Sequence, residues 1–133
     1  MTPEKLLSRH PLDNGLILEF WDRSRPMAGD RWQVVLEARI AIPVGAATLP
    51  PDLKAQEAEI SRSLGAEIVF SQRDVRTFIA ADEYPATLKE IEARLLTLAP
   101  SYLGHPEFPG RFIQKRFAEF QEKERWHRRQ TQQ

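Results

Sequence analysis

The chain contains no cysteine. This absence excludes disulfides, thiolate nucleophiles, thiolate zinc sites and iron–sulfur clusters held by cysteine. Its six glycines are scattered, so there is no GxGxxG or GxxxxGK phosphate-binding loop. The GxSxG segment that carries a hydrolase nucleophile is missing as well. The sequence therefore predicts no catalytic residue and no cofactor, and it favours a non-catalytic protein over an enzyme.

Metal-binding patterns and long apolar runs are also missing. The histidines, His10, His105 and His127, are far apart, and none has a partner at a zinc-helix spacing such as HExxH. No segment approaches the roughly 20 apolar residues of a membrane helix, and the first ten residues lack the apolar stretch of a signal peptide. We therefore expect a cytoplasmic protein without a metal site or a membrane partner.

Length and charge set the broad class. The chain has 133 residues, with 19 basic and 19 acidic side chains and therefore a formal net charge of zero. This length suits one core, so a single domain over residues 1–133 is expected. Whole-chain charge favours neither nucleic acid nor a membrane. Residues 1–12 are predicted to be a loosely attached lead-in, and residues 126–133 a flexible tail.

Strand signals dominate the first half of the chain. Residues 16–21 are a strand candidate, and every even position from Trp32 to Ile42 is apolar, whereas Gln33, Glu37 and Arg39 occupy odd positions. A period of two with one polar face is typical of an antiparallel sheet. Residues 66–80 are again strand-like, and Gln72–Asp74 slightly favours a hairpin over one long strand.

Helical spacing of apolar residues occurs in three segments, at about 52–64, 82–98 and 111–128. The resulting order is β-β-α-β(-β)-α-α. It predicts an α+β fold, in which helices pack on one face of a three- or four-stranded antiparallel sheet.

The segment 22–31 stands out as a charged loop between two tryptophans. Arginine binds carboxylate or phosphate with a planar fork of donors, and tryptophan supplies flat apolar area. We interpret the segment as a recognition loop for a protein partner, the alternative being a solvated loop with internal ion pairs. The candidate binding residues are Trp21, Asp22, Arg23, Arg25, Asp30, Arg31 and Trp32.

The C-terminal helix is a second candidate, because seven basic and three acidic residues follow position 110. Such a helix can contact nucleic-acid phosphates and stack an aromatic ring on a base. An exposed helix end whose basic residues complement the helix dipole explains the same pattern. The candidate nucleic-acid residues are Lys123, Arg125, Trp126, Arg128 and Arg129.

Two further groups carry weaker hypotheses. Asp74 between Arg73 and Arg76 suggests a base with anion-holding arginines, but a charged turn explains the same residues. Phe108, Phe112, Phe117 and Phe120 have the spacing of a helix face, which is typical of core packing. Apolar surface left over there is compatible with a homodimer.

Six segments of the chain carry a resemblance: residues 12–16, 21–26, 29–32, 36–39, 76–79 and 102–103. Together they resemble a small family of bacterial proteins of unknown function. The resemblance implies no activity and no catalytic residue. It indicates that the charged loop is a typical feature of the group.

Together these observations predict a binding or protein-interaction module that uses loop 22–31. A nucleic-acid-associated protein that uses the basic helix is the alternative. A small enzyme built on acids and arginines is the third hypothesis, for which the sequence names no residue.

Overall fold

The computed structural model of the protein describes residues 4–131. Within them lie five strands, three α-helices and two short 3-10 segments, Pro51–Gln56 and Ala99–Ser101. The predicted α+β class with an antiparallel sheet is confirmed. The larger elements are β1 (Lys5–Pro11), β2 (Ile17–Asp22), β3 (Arg25–Pro26), β4 (Arg31–Pro43), α1 (Glu57–Leu64), β5 (Glu67–Ala80), α2 (Tyr84–Leu98) and α3 (Phe108–Thr131).

The chain forms two compact units. The first comprises the residues up to Ile40 together with Phe70–His105, and the second comprises Ala41–Val69 together with the residues from Pro106 onward. Strands β4 and β5 each contribute residues to both units. The single domain expected over residues 1–133 stays a prediction.

The sheet of the first unit has the strand order β1-β2-β4-β3, and β5 also pairs with β4. In the β2–β4 register, Phe20 lies opposite Ala38 and Trp21 lies opposite Glu37. Because side chains alternate along a strand, Phe20 and Ala38 belong to one face and Trp21 and Glu37 to the other. Buried apolar side chains occupy the first of these, which we call the apolar face: Leu18, Phe20, Leu36, Ala38 and Ile40.

Helix α2 lies on the apolar face. Its Leu88 and Ile91 are buried, as the helical spacing of the apolar residues predicts. The Asn14–Gly15 turn is fastened to the segment after α2, because the Asn14 side-chain amide donates a hydrogen bond of 2.8 Å to the Leu103 carbonyl. Gly15 has φ of 87°, which explains the need for glycine in this turn.

Strand β1 corrects the prediction of a loose lead-in over residues 1–12, although residues 1–3 lie outside the described residues. It pairs along its length with β2, and its register shifts between Leu6 and Ser8. This bulge breaks the period of two, so the sequence shows no alternation to recognise. With β1 and the two-residue β3, the sheet has five strands rather than three or four.

Strand β5 is one continuous strand, so of the two alternatives at Gln72–Asp74 the slightly favoured hairpin is wrong and the single strand is confirmed. Two of these three polar residues are bound through their side chains, which favours extended backbone over a turn. Arg73 binds Glu37 of β4, and Asp74 accepts hydrogen bonds from Arg76 and from Arg94 of α2. The carboxylate of Asp74 is therefore held by two arginines, which does not suit a base.

The second unit is built around α1 and α3. Ile60 of α1 and Ile113 and Phe117 of α3 are buried. Helix α3 begins at Phe108 and continues to Thr131, so the predicted tail is helical through residue 131, and residues 132–133 lie outside the described residues. All residues of α3 after Phe120 are exposed.

Gly110 lies where α3 approaches the backbone of Thr48 and the ring of Pro50. An added Cβ would lie 3.1 Å from the Thr48 carbonyl oxygen and 3.2 Å from Pro50 Cδ. Gly110→Ala is therefore expected to lower the free energy of unfolding by about 1–2 kcal/mol, although alanine alone favours a helix. Urea denaturation measures the change. Gly45→Ala is the control, because a Cβ there meets nothing within 4 Å; equal stability of the two variants would contradict the prediction.

Candidate functional site

A buried carboxylate with three arginines lies on the second face of the sheet. Glu37 of β4 is only 3% exposed. Its carboxylate oxygens lie 2.7 Å from Arg23 Nε, 2.9 Å from Arg39 Nε and 2.8 Å from Arg73 Nε. We call these four residues, together with Glu4, the Glu37 cluster. Glu4 precedes β1, Arg23 follows β2, Glu37 and Arg39 belong to β4 and Arg73 belongs to β5, so only the folded sheet assembles the cluster.

Local structure explains why each arginine reaches Glu37. Arg39 follows it by two residues, which places both on one strand face. Arg23 comes after β2, where its backbone N–H donates to the Val35 carbonyl at 2.9 Å. The buried Ser24 then accepts a 2.9 Å hydrogen bond from the Val35 N–H through its hydroxyl oxygen. These two bonds hold the segment against β4 and bring Arg23 over it.

The charge of Glu37 is set by two opposing effects. Burial alone would raise its pKa, but hydrogen bonds from Arg73 and Arg39 and the charge of Arg23 outweigh burial and lower the pKa below its usual value. Glu37 is therefore ionised at neutral pH, and it neutralises one of the three arginines.

Glu4 supplies the second carboxylate of the cluster. One of its oxygens lies 2.5 Å from Arg23 Nη2 and 3.7 Å from Arg39 Nη2, and its side chain is 41% exposed. Three arginines face two carboxylates, which leaves one positive charge. Arg73 is 54% exposed, and among residues 4–131 the acid it pairs with is Glu37, which it shares with Arg23 and Arg39. The cluster thus presents a half-exposed guanidinium group that shares its acid with two other arginines.

An aromatic ring and exposed apolar side chains adjoin the cluster. The guanidinium of Arg39 lies 5.0 Å from the ring centroid of Trp21, a cation–π contact. Leu6 of β1 pairs with Trp21 across the strands and is 39% exposed, and Ile17, at the start of β2, is 41% exposed. Arginine and aromatic residues beside apolar surface are the composition typical of protein interfaces.

The predicted recognition loop is a hairpin arm rather than a projecting loop. Strand β3 pairs with β4, and the tip is closed by the Met27 N–H, which donates to the Arg31 carbonyl at 2.8 Å. The structure consequently separates the seven predicted binding residues into three places. Trp21 and Arg23 lie at the Glu37 cluster, Asp22 and Trp32 contact Tyr84, and Arg25, Asp30 and Arg31 lie in or beside the exposed tip of the arm.

The contact with Tyr84 fastens the arm to α2. The Tyr84 hydroxyl donates to Asp22, and its ring meets Trp32 edge to face at 4.8 Å. Burial, together with the charge and hydrogen bond of Asp22, raises the pKa of Tyr84 to about 12. The phenol therefore stays protonated at neutral pH, and Asp22 is committed to an internal bond.

A polar group on β1 and α2 was not predicted from the sequence. The Ser8 hydroxyl donates to Glu92 at 2.9 Å, and His10 Nε2 lies 3.0 Å from the Ser8 oxygen. Because the only hydroxyl hydrogen goes to Glu92, His10 is the donor to Ser8 and does not act as its base. A nucleophile would need the opposite order. The spacing of Ser8 and His10, two residues apart, was the available indication in the sequence. Their partner Glu92 lies 84 residues beyond Ser8.

The predicted nucleic-acid residues lie on the exposed end of α3. Arg125 forms a 2.9 Å ion pair with Glu122, and Trp126 is 56% exposed. Lys123, Arg128 and Arg129 are exposed within the same roughly two turns of the helix. The helix thus presents basic groups and one aromatic ring to solvent.

No family model, curated protein or solved structure matches the chain. Across the described helices, none has both the length and the apolar character needed to cross a membrane. Among residues 4–131, no three His, Asp or Glu side chains form a group suited to a metal ion. A function must therefore be argued from the geometry of the chain's own clusters.

Proposed function

We propose that the protein is a non-catalytic interaction module that binds an acidic segment of a partner protein at the Glu37 cluster. The observation that carries the proposal is the convergence of three arginines on one buried carboxylate, which leaves one positive charge and the half-exposed guanidinium of Arg73 at the surface. As part of the same proposal, we place the protein in the cytoplasm of a bacterium. The absence of cysteine and the family resemblance support this location.

The arrangement favours carboxylate recognition because its donors are pre-ordered. Glu37 holds Arg23 and Arg39, whose side chains are 28% and 26% exposed, so little side-chain entropy is lost when a ligand binds. Guanidinium groups match the geometry of carboxylates with paired donors. Trp21 and Leu6 beside them supply apolar contact area.

Glu4 shows how an external carboxylate fits. It is the more exposed of the two acids, and it already binds Arg23 and Arg39 as a ligand carboxylate would. An incoming Asp or Glu side chain replaces it without changing the charge balance. A second carboxylate of the same segment then pairs with the Nη atoms of Arg73.

The proposal is tested with Trp21 as the reporter, because Arg39 lies over its ring. In a Trp32→Phe/Trp126→Phe background, an oligoglutamate peptide is titrated, and an oligolysine peptide of equal length serves as the control. We expect saturable fluorescence changes with the acidic peptide alone, and weaker binding as salt rises. Absence of saturation, or equal responses to both peptides, would reject the proposal.

Removal of the internal competitor provides a further prediction. Glu4→Gln is expected to tighten binding of the acidic peptide about three- to tenfold, because the ligand no longer displaces a carboxylate. Glu90→Gln on α2 is the control, since it changes net charge equally at an exposed position outside the cluster. The two variants have equal affinities if only net charge matters, and that result would contradict the role given to Glu4.

Nucleic-acid binding by α3 is the second candidate, favoured by the exposure of Trp126 among Arg125, Arg128 and Arg129. It predicts that a single-stranded oligonucleotide binds with an affinity that falls steeply with salt. Deletion of residues 121–133 is expected to abolish this binding and to leave the acidic peptide unaffected. Oligonucleotide binding that survives the deletion would rule out α3 as its site.

A further inference from the structure

A cavity of about 300 Å³ opens in the first unit, on the side of the sheet opposite the Glu37 cluster. Its floor is the apolar face itself, at Leu18, Phe20 and Ala38. Its mouth lies at the end of α2, where Leu98 is 59% and Tyr102 63% exposed.

We propose that this cavity binds a small neutral molecule with the bulk of two fused rings and one hydrogen-bonding group. The volume supports the size, because an apolar cavity of about 150 Å³ accommodates benzene, and ligand sites begin at about 300 Å³. The proposal is independent of the acidic partner proposed above, which binds the other face.

The charge of the ligand follows from the lining. None of the residues around the cavity is an acid, a lysine, an arginine or a histidine. An ion placed there would lose its hydration without gaining a counter-charge, which is costly. A neutral apolar ligand has no ionic hydration to lose, and its binding removes apolar surface from water.

Exposed groups at the opening indicate how the ligand is held. Leu98 and Tyr102 are large side chains that expose most of their surface, and a ligand at the mouth would cover part of it. The side-chain amide of Gln72, also in the lining, has no hydrogen-bond partner among residues 4–131. It is available to donate to a carbonyl or hydroxyl of the ligand, and such a contact fixes orientation.

Three naphthalene compounds separate these requirements: acetonaphthone, which is neutral with one carbonyl, naphthoate, which carries a charge, and naphthalene itself. Their affinities for the full chain are measured by saturation-transfer NMR. We expect saturable binding of the ketone, at least about tenfold weaker binding of naphthoate, and intermediate binding of the hydrocarbon. Equal affinity for ketone and carboxylate, or no saturation by any compound, would overturn the proposal.

Variants locate the site. Gln72→Leu is expected to weaken binding of the ketone about three- to tenfold, because the amide contact is removed. Binding of naphthalene, which makes no such contact, is expected to stay unchanged. Ala38→Leu fills the floor and is expected to abolish binding of both compounds. Leu98→Glu places a charge at the mouth and is expected to weaken binding of both compounds. Met27→Glu is the control, because it makes the same kind of change at an exposed apolar residue outside the lining, and it is expected to leave binding unchanged.

The exposed positions keep the test decisive even if the substitution at Ala38 prevents folding. Gln72 and Leu98 are both exposed, so their variants are expected to fold. Undiminished ketone binding in both folded variants would overturn the assignment of this cavity.

Discussion

Glu37→Ala is expected to lower the free energy of unfolding by about 3 kcal/mol at pH 7, with a fall in Tm of about 10 °C. The substitution leaves three guanidinium groups close together without their common acceptor. Removing one partner of a fully buried ion pair lowers the free energy of unfolding by about 3–5 kcal/mol. The lower end applies here, because Arg73 is half exposed and keeps part of its hydration. Urea denaturation of the two proteins measures the difference.

The same comparison has a defined pH dependence. Because the folded protein lowers the pKa of Glu37, its ionised form contributes stability above the ordinary carboxyl pKa, and that contribution is lost as pH falls through the lowered value. The stability difference between wild type and Glu37→Ala is therefore largest near neutral pH and shrinks below about pH 4. Parallel stability curves from pH 7 to pH 3 would contradict an ionised Glu37.

Glu19 is the matched control for this prediction. It is an acid on the same face of the sheet, paired with Arg9 at 3.3 Å, but it is 27% exposed and Arg9 is 57% exposed. Glu19→Ala is expected to cost about 1 kcal/mol, because it removes a partly exposed ion pair and a 3.1 Å hydrogen bond from Trp21 Nε1. A cost equal to that of Glu37→Ala would show that burial among the arginines is not the cause.

The sequence predicted the part of the fold that follows strict alternation. In β4, every even position was assigned to a buried face, and Glu37 and Arg39 were placed together on the other face, as the structure has them. Strand β1 was missed because its bulge at Leu6–Ser8 removes the period of two. The slightly favoured hairpin in β5 was wrong because a polar run was taken as a turn, whereas two of its side chains, those of Arg73 and Asp74, are bound by Glu37 of β4 and Arg94 of α2.

The candidate site was predictable only where its residues are close in sequence. Arg73 lies 36 residues beyond Glu37, and the pairing register of β4 with β5 cannot be inferred from either strand alone. Similarly, Asp22 was predicted to contact a partner, but it binds Tyr84, which lies 62 residues further along the chain. The buried Ser24, which draws Arg23 over β4, carries no signal in the sequence.

Arg73 provides the sharpest test of the proposed acidic partner. Arg73→Gln retains side-chain N–H groups that can donate to Glu37, but it removes the positive charge and most of the N–H donors. Binding of the oligoglutamate peptide is therefore expected to weaken at least about tenfold, with a loss of stability below about 1 kcal/mol. Fluorescence titration of Trp21 and urea denaturation measure the two effects separately.

Arg94→Gln is the matched variant, since Arg94 is 53% exposed against 54% for Arg73 and likewise pairs with one acid, Asp74. It changes net charge by the same amount at a position outside the Glu37 cluster. If peptide binding depends on the overall charge of the protein, both variants bind the peptide equally weakly, and the assigned site is wrong. If Arg73 alone matters, net charge is excluded as the cause because it is the same in both variants, and the loss of affinity is assigned to the position of Arg73 beside the peptide.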